Sequence, residues 1–208
     1  MTRYYLMRHG ETDWNRDHNR YCGRSDIGLS EQGIRQAEQT ALYLKPIGID
    51  RIFASGLQRA VDTARPIASF HQLEVERDDR LTEADFGRWE GLRHAEIVER
   101  YPESWRSWYD DPSSSRAGMT GETAIQVFQR MNGFFEEQTR RYPKENILVV
   151  SHSTALRLYL AGVLSMTLSS YRKLVLSNAG ISVLEAADGT VRLLQFNNRY
   201  VALGPLKP

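Results

Sequence analysis

The run Tyr4-Tyr5-Leu6-Met7 has the composition of a core strand, yet it ends on Arg8-His9-Gly10. Strand ends usually give way to Asn, Asp or Gly, which relax or satisfy a turning backbone. A guanidinium there offers a planar fork of donors suited to phosphate oxygens, and an imidazole is a nucleophile, acid or base near neutral pH. The glycine lets another piece of backbone come close. A second histidine, His152, follows the apolar run Ile147-Leu148-Val149-Val150, and Arg59 lies just beyond Arg51-Ile52-Phe53-Ala54. If those runs are parallel neighbours, two arginines and two histidines meet at one sheet edge, where helix N-termini also favour an anion. The donor set predicts a phosphate group as ligand. Taken singly, Arg8 reads as a solvated cation and His9 as a satisfied loop histidine, and His152 at a second strand end reverses that; Arg59 alone reads as a solvated helix residue, promoted only by the surrounding SGLQRAVDTA.

The elements that would carry these residues follow from the apolar spacing. Ser30 is a plausible N-cap for a helix with Ile34, Ala37, Ala41 and Leu44 on one face, ended by Lys45-Pro46. Ser55-Gly56 leads into a second helix with Leu57, Ala60, Val61, Ala64 and Ala68 inward, which Pro66 should bend or shorten. Residues 79–120, with Trp89, Tyr101, Trp105, Trp108 and Tyr109 and the loop-like stretch 111–115, read as short helices and loops over one end of the core. The tryptophans are expected to pack, not to stack on a ligand. From Gly121 a long helix runs towards Arg141, burying Val127, Phe128, Met131, Phe134 and Phe135. A helix from about Thr154 and a hairpin through Asp188-Gly189, joining 180–187 to 190–196, complete the pattern. Strands alternating with helices predict an α/β three-layer sandwich, a largely parallel central sheet with a late antiparallel hairpin, as one domain over 1–208. Ligands of such sheets sit at the carboxyl ends of the strands.

Bulk properties narrow the function. A net charge of +1 argues against partners gathered by bulk electrostatics, nucleic acid or a membrane surface. No apolar run is long enough to cross a bilayer, and the opening MTRYYLMRHG has no leader pattern. The single cysteine, Cys22, fits a reducing cytoplasm. The five histidines show no zinc-site spacing, so no structural metal is expected. No glycine-bracketed elbow surrounds Ser151 or Ser153, which disfavours a serine hydrolase, and no Walker loop is present.

Six blocks in order, LMRHGETDWN, GLSEQGIRQAE, FASGLQRAVDTA, LTEADFGRWEG, GET and VVSHSTALR, resemble the histidine phosphatase superfamily, also called phosphoglycerate mutase-like, from residue 3 to about 198. The resemblance implies His9 as nucleophile, with Arg8, Arg59 and His152 holding the phosphoryl group and Asn15 helping. It makes Glu83 the proton donor and requires neither metal nor cofactor. A protonated His152 would join the two arginines in neutralising the phosphoryl oxygens. Cys22 and Gly23 occupy a stretch that lines the substrate pocket in family members. Cys22 is no nucleophile, since a cysteine-based phosphatase needs an arginine six positions on, where Gly28 stands. Where many relatives have two glycines after the second histidine, this chain has Ser153-Thr154, whose N–H groups could still face the phosphate.

The implied function is a metal-independent phosphatase for a small-molecule phosphomonoester, acting through a phosphohistidine. The alternatives are a cofactor-dependent phosphoglycerate mutase and an inactive phospho-ligand binding domain. Against the mutase, Phe86 and His94 stand where family mutases resemble one another in a tyrosine and a lysine, and RYVALGPLKP leaves little tail to close a pocket. Phe86 also stands where family phosphoserine phosphatases tend to carry a histidine. Arg16, Arg20, Arg24, Arg88, Arg93 and Arg116 could supply a second anionic contact.

Overall fold

Alternation along the first strand sets the layers. In β1 (Thr2–Arg8), Tyr4 and Leu6 enter one buried cluster, while Tyr5 and Met7 enter the other. A period of two sends successive side chains to opposite faces of a sheet. The computed structural model describes residues 1–187 and 189–198. Asp188, half of the expected hairpin turn, and the stretch 199–208 lie outside the described residues.

Six strands form one sheet in the order β3-β2-β4-β1-β5-β6. They are β1, β2 (Arg51–Ala54), β3 (Val75–Arg77), β4 (Asn146–Ser151), β5 (Ile181–Ala187) and β6 (Thr190–Asn198). The first four run parallel; β5 is antiparallel to both β1 and β6, as the late hairpin requires. The fold is therefore the expected α/β sandwich. Ile147 to Val150 in β4 are fully buried, each side chain contributing about 1.5–3 kcal/mol of apolar burial.

Helices α2 (Glu31–Leu44) and α3 (Gln58–His71) pack on the face carrying Tyr5 and Met7. Helices α6 (Ala124–Arg141) and α7 (Ser153–Val163) cover the face of Tyr4 and Leu6. Short α1 (Asp13–Arg16) follows the β1 loop, and α4 (His94–Arg100) and α5 (Pro102–Asp110) lie in the aromatic middle segment. Trp89 and Trp108 there are fully buried.

Three details differ from the sequence expectation. Ile34 is 49 % exposed, because α2 buries Gly33, Ala37, Thr40, Ala41 and Leu44 and leaves Ile34 on the flank of that stripe. Pro66 does not end α3, which continues to His71. A proline forgoes one backbone bond, and buried Ala64, Ile67 and Ala68 on either side keep the helix seated on the sheet. Helix α6 starts three residues after Gly121, where the Thr123 hydroxyl accepts from Gln126 N–H in a capping box.

The register places the chemistry. Arg8 lies opposite Ser151, so Arg8-His9 and Ser151-His152 leave the sheet side by side; Ala54, opposite Val150, brings the start of α3 to the same edge. The loop after β1 is then clamped against α2. A Cβ on Gly10 would lie 2.6 Å from the Gly33 carbonyl oxygen, and one on Gly33 would lie 2.0 Å from that of Glu11. Both obstacles are backbone, so neither can swing aside. Gly33→Ala is expected to destabilise the protein by about 1–3 kcal/mol, measured by urea unfolding, and to lower activity by shifting the loop that carries His9.

Candidate active site

Helix α3 begins at the end of β2 and turns Arg59 inward, where it is fully buried. Its Nε donates to His152 Nδ1 at 3.2 Å, Nη1 to the Ser25 carbonyl at 2.8 Å and Nη2 to the Gly23 carbonyl at 2.7 Å. A buried cation must be satisfied or it destabilises the fold. Here one guanidinium joins the loop at 22–25 to the end of β4. Glu90 holds that loop from the other side, accepting from Arg24 N–H (2.9 Å), Ser25 N–H (3.0 Å) and the Ser25 hydroxyl (2.7 Å). Gly23 has φ +50°, and a side chain on it would run into the Glu90 carboxylate.

His9 and His152 face each other with ring centroids 5.1 Å apart. Their partners fix their tautomers. His9 Nδ1 is 2.6 Å from the Gly10 carbonyl, which can only accept, so Nδ1 carries the proton and Nε2 keeps its lone pair. Arg59 Nε can only donate, so His152 Nδ1 is unprotonated and its proton sits on Nε2, a buried atom without a protein partner. Burial, then Arg59 and Arg8, push the pKa of His9 well below 6.5, against the opposing Gly10 bond. Burial, then Arg59 and His9, do the same to His152. The imidazolium expected at His152 is therefore neutral in the unliganded fold, because it accepts from an arginine instead of facing a carboxylate.

Arg8 donates through Nη1 to the Leu176 carbonyl at 2.8 Å, while its buried Nε has no protein partner. Burial lowers its pKa to about 10, with Glu83 opposing, so the guanidinium stays charged at neutral pH. Asn15 sits in the capping box of α1, its Oδ1 accepting from Thr12 N–H at 3.2 Å and from Asn178 Nδ2 at 3.0 Å. Asn178 Nδ2 also reaches the His9 carbonyl at 3.2 Å, so Asn15 and His9 share one support. Cys22 is buried, its thiol turned to the Arg20 carbonyl. Burial raises its pKa, with Arg59 opposing, which suits a wall residue and not a thiolate.

Glu83 is buried, its carboxylate held by backbone donors: Ala84 and Ala155 N–H at 2.9 Å on Oε1, and Thr154 N–H at 3.1 Å on Oε2. The Thr154 N–H, expected to face the phosphate, is thus taken by Glu83. Ser153 is the first residue of α7, directly after His152. Sequence reasoning missed Asn178, Glu90 and Thr63, whose hydroxyl accepts from Gly10 N–H at 2.9 Å and donates to the Arg59 carbonyl at 2.7 Å. All three act on backbone across 53 to 169 residues, a pairing with no local signature.

A neutral histidine, two arginines and a helix-held carboxylate gathered at parallel strand ends have the donors and the nucleophile that phosphoryl chemistry uses. The chain belongs to the histidine phosphatase superfamily (branch 1), whose family model matches residues 4–199. It is 35% identical to phosphoserine phosphatase 1 of Hydrogenobacter thermophilus over 95% of this chain and 92% of that protein. It is 36% identical to a probable phosphoglycerate mutase GpmB of Cronobacter sakazakii, over 88% of this chain and 84% of that one. A crystal structure of a phosphoserine phosphatase mutant from Entamoeba histolytica, in complex with phosphoserine, superimposes with a TM-score of 0.88 at 28% identity, covering 96% of this chain and 98% of that one. Some relatives are longer: the chain spans 53% of a bifunctional protein of Mycobacterium tuberculosis.

The two depressed histidines make stability depend on pH. Each binds a proton more readily in the unfolded chain, so their contribution is complete above pH 6.5 and is lost as pH falls below it. Unliganded protein should lose up to about 1.4 kcal/mol per pH unit per histidine below that point. Urea unfolding at several values between pH 5 and 8 measures the slope, which His152→Asn should roughly halve.

Proposed function

We propose that the chain is a metal-independent phosphatase that hydrolyses a small-molecule phosphomonoester through a phosphohistidine on His9. The observation that carries this reading is the Nδ1 bond to the Gly10 carbonyl, which leaves the His9 Nε2 lone pair on a neutral ring beside two arginines. In the first step Nε2 attacks phosphorus and the phosphorus–ester oxygen bond breaks. Arg8, Arg59 and the His152 Nε2–H neutralise charge on the equatorial oxygens, with Asn15, the backbone near Cys22 and Gly23, and Ser153 N–H lining the phosphoryl pocket. Glu83 enters this step as the protonated acid, delivers its proton to the leaving alkoxide and is left as the carboxylate. In the second step water attacks phosphorus, Glu83 takes its proton, the nitrogen–phosphorus bond breaks and phosphate leaves. His152 takes part as a neutral Nε2–H donor, because its Nδ1 accepts from Arg59 and a proton there would break that bond.

His9→Ala should abolish turnover of p-nitrophenyl phosphate while leaving the unfolding midpoint within a few degrees of wild type. Acid quenching with labelled substrate should leave acid-labile, base-stable phosphate on wild type alone. Label on a serine or cysteine would overturn the mechanism.

Hydrolysis is proposed over mutase chemistry. Phe86, 4 % exposed, packs its ring on Tyr21 at 4.9 Å, and His94 packs on Trp105 at 4.6 Å. Neither supplies the phenol or ammonium that family mutases carry there. A mutase must also shield its phosphohistidine from water through a complete exchange. Phosphate release should exceed interconversion of 3- and 2-phosphoglycerate by at least about a thousandfold, roughly 4 kcal/mol in barrier. Faster interconversion, primed by 2,3-bisphosphoglycerate, would assign the chain to the mutases.

A further inference from the structure

We propose that Arg157 reads a carboxylate on the substrate, so that the chain prefers phosphomonoesters carrying an acid group a few bonds from the phosphoryl. The inference rests on the phosphatase reading and adds the substrate class.

Helical side chains lean towards the N-terminus of their helix. Arg157, one turn into α7, leans back over the turn that begins at His152: Nε donates to the Ser153 carbonyl at 3.1 Å and Nη2 to the Thr154 hydroxyl at 3.2 Å. Thr154 is one of the two residues that stand where many relatives have glycine, and its side chain is what fixes the guanidinium. The other side is braced by the Tyr171 ring, 5.1 Å from the guanidinium carbon. Tyr171 is itself buried and held through its hydroxyl by Trp108 Nε1 at 3.2 Å. Of the five donors on an arginine, those two bonds leave the Nη1 pair and one Nη2 hydrogen, the fork that matches a carboxylate.

Charge supports the same assignment. Among the described residues, no Asp or Glu forms an ion pair with Arg157. Five of the six arginines nominated from the sequence have protein partners, and the sixth, Arg88, lies on the surface. Arg16 pairs with Asp13, Arg20 and Arg93 with Asp17, and Arg24 with Glu122. Arg116 donates to the Gly121 carbonyl, and Arg88 is exposed. Arg157 is also close enough to Arg8 to help depress it, after burial. A cation set rigidly beside the phosphoryl cations, with its fork open, suits a second anionic group on the same small molecule.

Two matched pairs of ligands isolate that group: phosphoserine against phosphoethanolamine, and 3-phosphoglycerate against glycerol 3-phosphate. Calorimetric titration of His9→Ala protein, which cannot turn them over, should show the acid of each pair binding about tenfold to a hundredfold more tightly. Adding Arg157→Gln should collapse that ratio to near one, and Arg157→Lys should restore part of it. A merely structural role would weaken both members of a pair and keep the ratio. No preference in the first protein, or a ratio unchanged by Arg157→Gln, overturns the proposal. Wild-type turnover of p-nitrophenyl phosphate, measured alongside, separates the readings: absence of hydrolysis sinks the phosphatase assignment, while the binding ratio still decides Arg157.

Discussion

The buried Arg59 guanidinium is the contact on which the site depends. Three of its N–H groups are spent on the loop at 22–25 and on His152, so it fixes both walls of the pocket before any substrate arrives. Each such charged hydrogen bond is worth about 1.5–3 kcal/mol, and loss of the arginine would leave two carbonyls and an imidazole nitrogen without donors. Its first-turn position on α3 matters because Thr63, one turn on, ties the Arg59 carbonyl to Gly10 N–H. The loop that carries His9 and the loop at 22–25 are therefore two ends of one short chain of bonds.

That arrangement creates an electrostatic imbalance with chemical consequences. Arg8 and Arg59 lie beside two buried imidazoles, and no Asp or Glu forms an ion pair with either arginine among the described residues. Burial first, and then the neighbouring arginines, hold both histidines well below their ordinary pKa and so favour the neutral rings. A neutral imidazole is what nucleophilic attack on phosphorus needs. The same charges that would bind a phosphoryl group thus also prepare the group that attacks it.

Much of this was legible in the sequence where the signal is local or periodic. The unbroken apolar run at 147–150 marks a central strand, and β4 lies between β1 and β2. Two histidines at strand ends meet because parallel strands start and stop together. Arg59 was legible only through the motif around it, since a helix arginine alone has no sign of being buried. The hub roles of Glu90, Thr63 and Asn178 were invisible: each meets backbone groups brought near by the fold. Periodicity also misjudged Ile34, because Gly33 must press against the Glu11 backbone, and that contact turns the first turn of α2 so that Ile34 flanks the buried stripe. That α3 runs on past Pro66 to His71 was not legible either, because local propensity omits tertiary packing.

Helix α7 shows how one element can frame several functions. His152 is its N-cap residue, Thr154 and Ala155 give their free N–H groups to Glu83, and Arg157 reaches back over the same turn. Helix ends carry unsatisfied donors that must find acceptors. Here a carboxylate takes two of them, which places Glu83 at a set distance from His152 with no contribution from its own flexible chain. The donors point at the carboxylate's oxygens and so hold it in one orientation throughout a reaction in which it would first give and then take a proton. In this chain the Ser153 carbonyl and the Thr154 hydroxyl both hold the Arg157 guanidinium, so the turn that seats Glu83 also seats the cation proposed to read a substrate carboxylate.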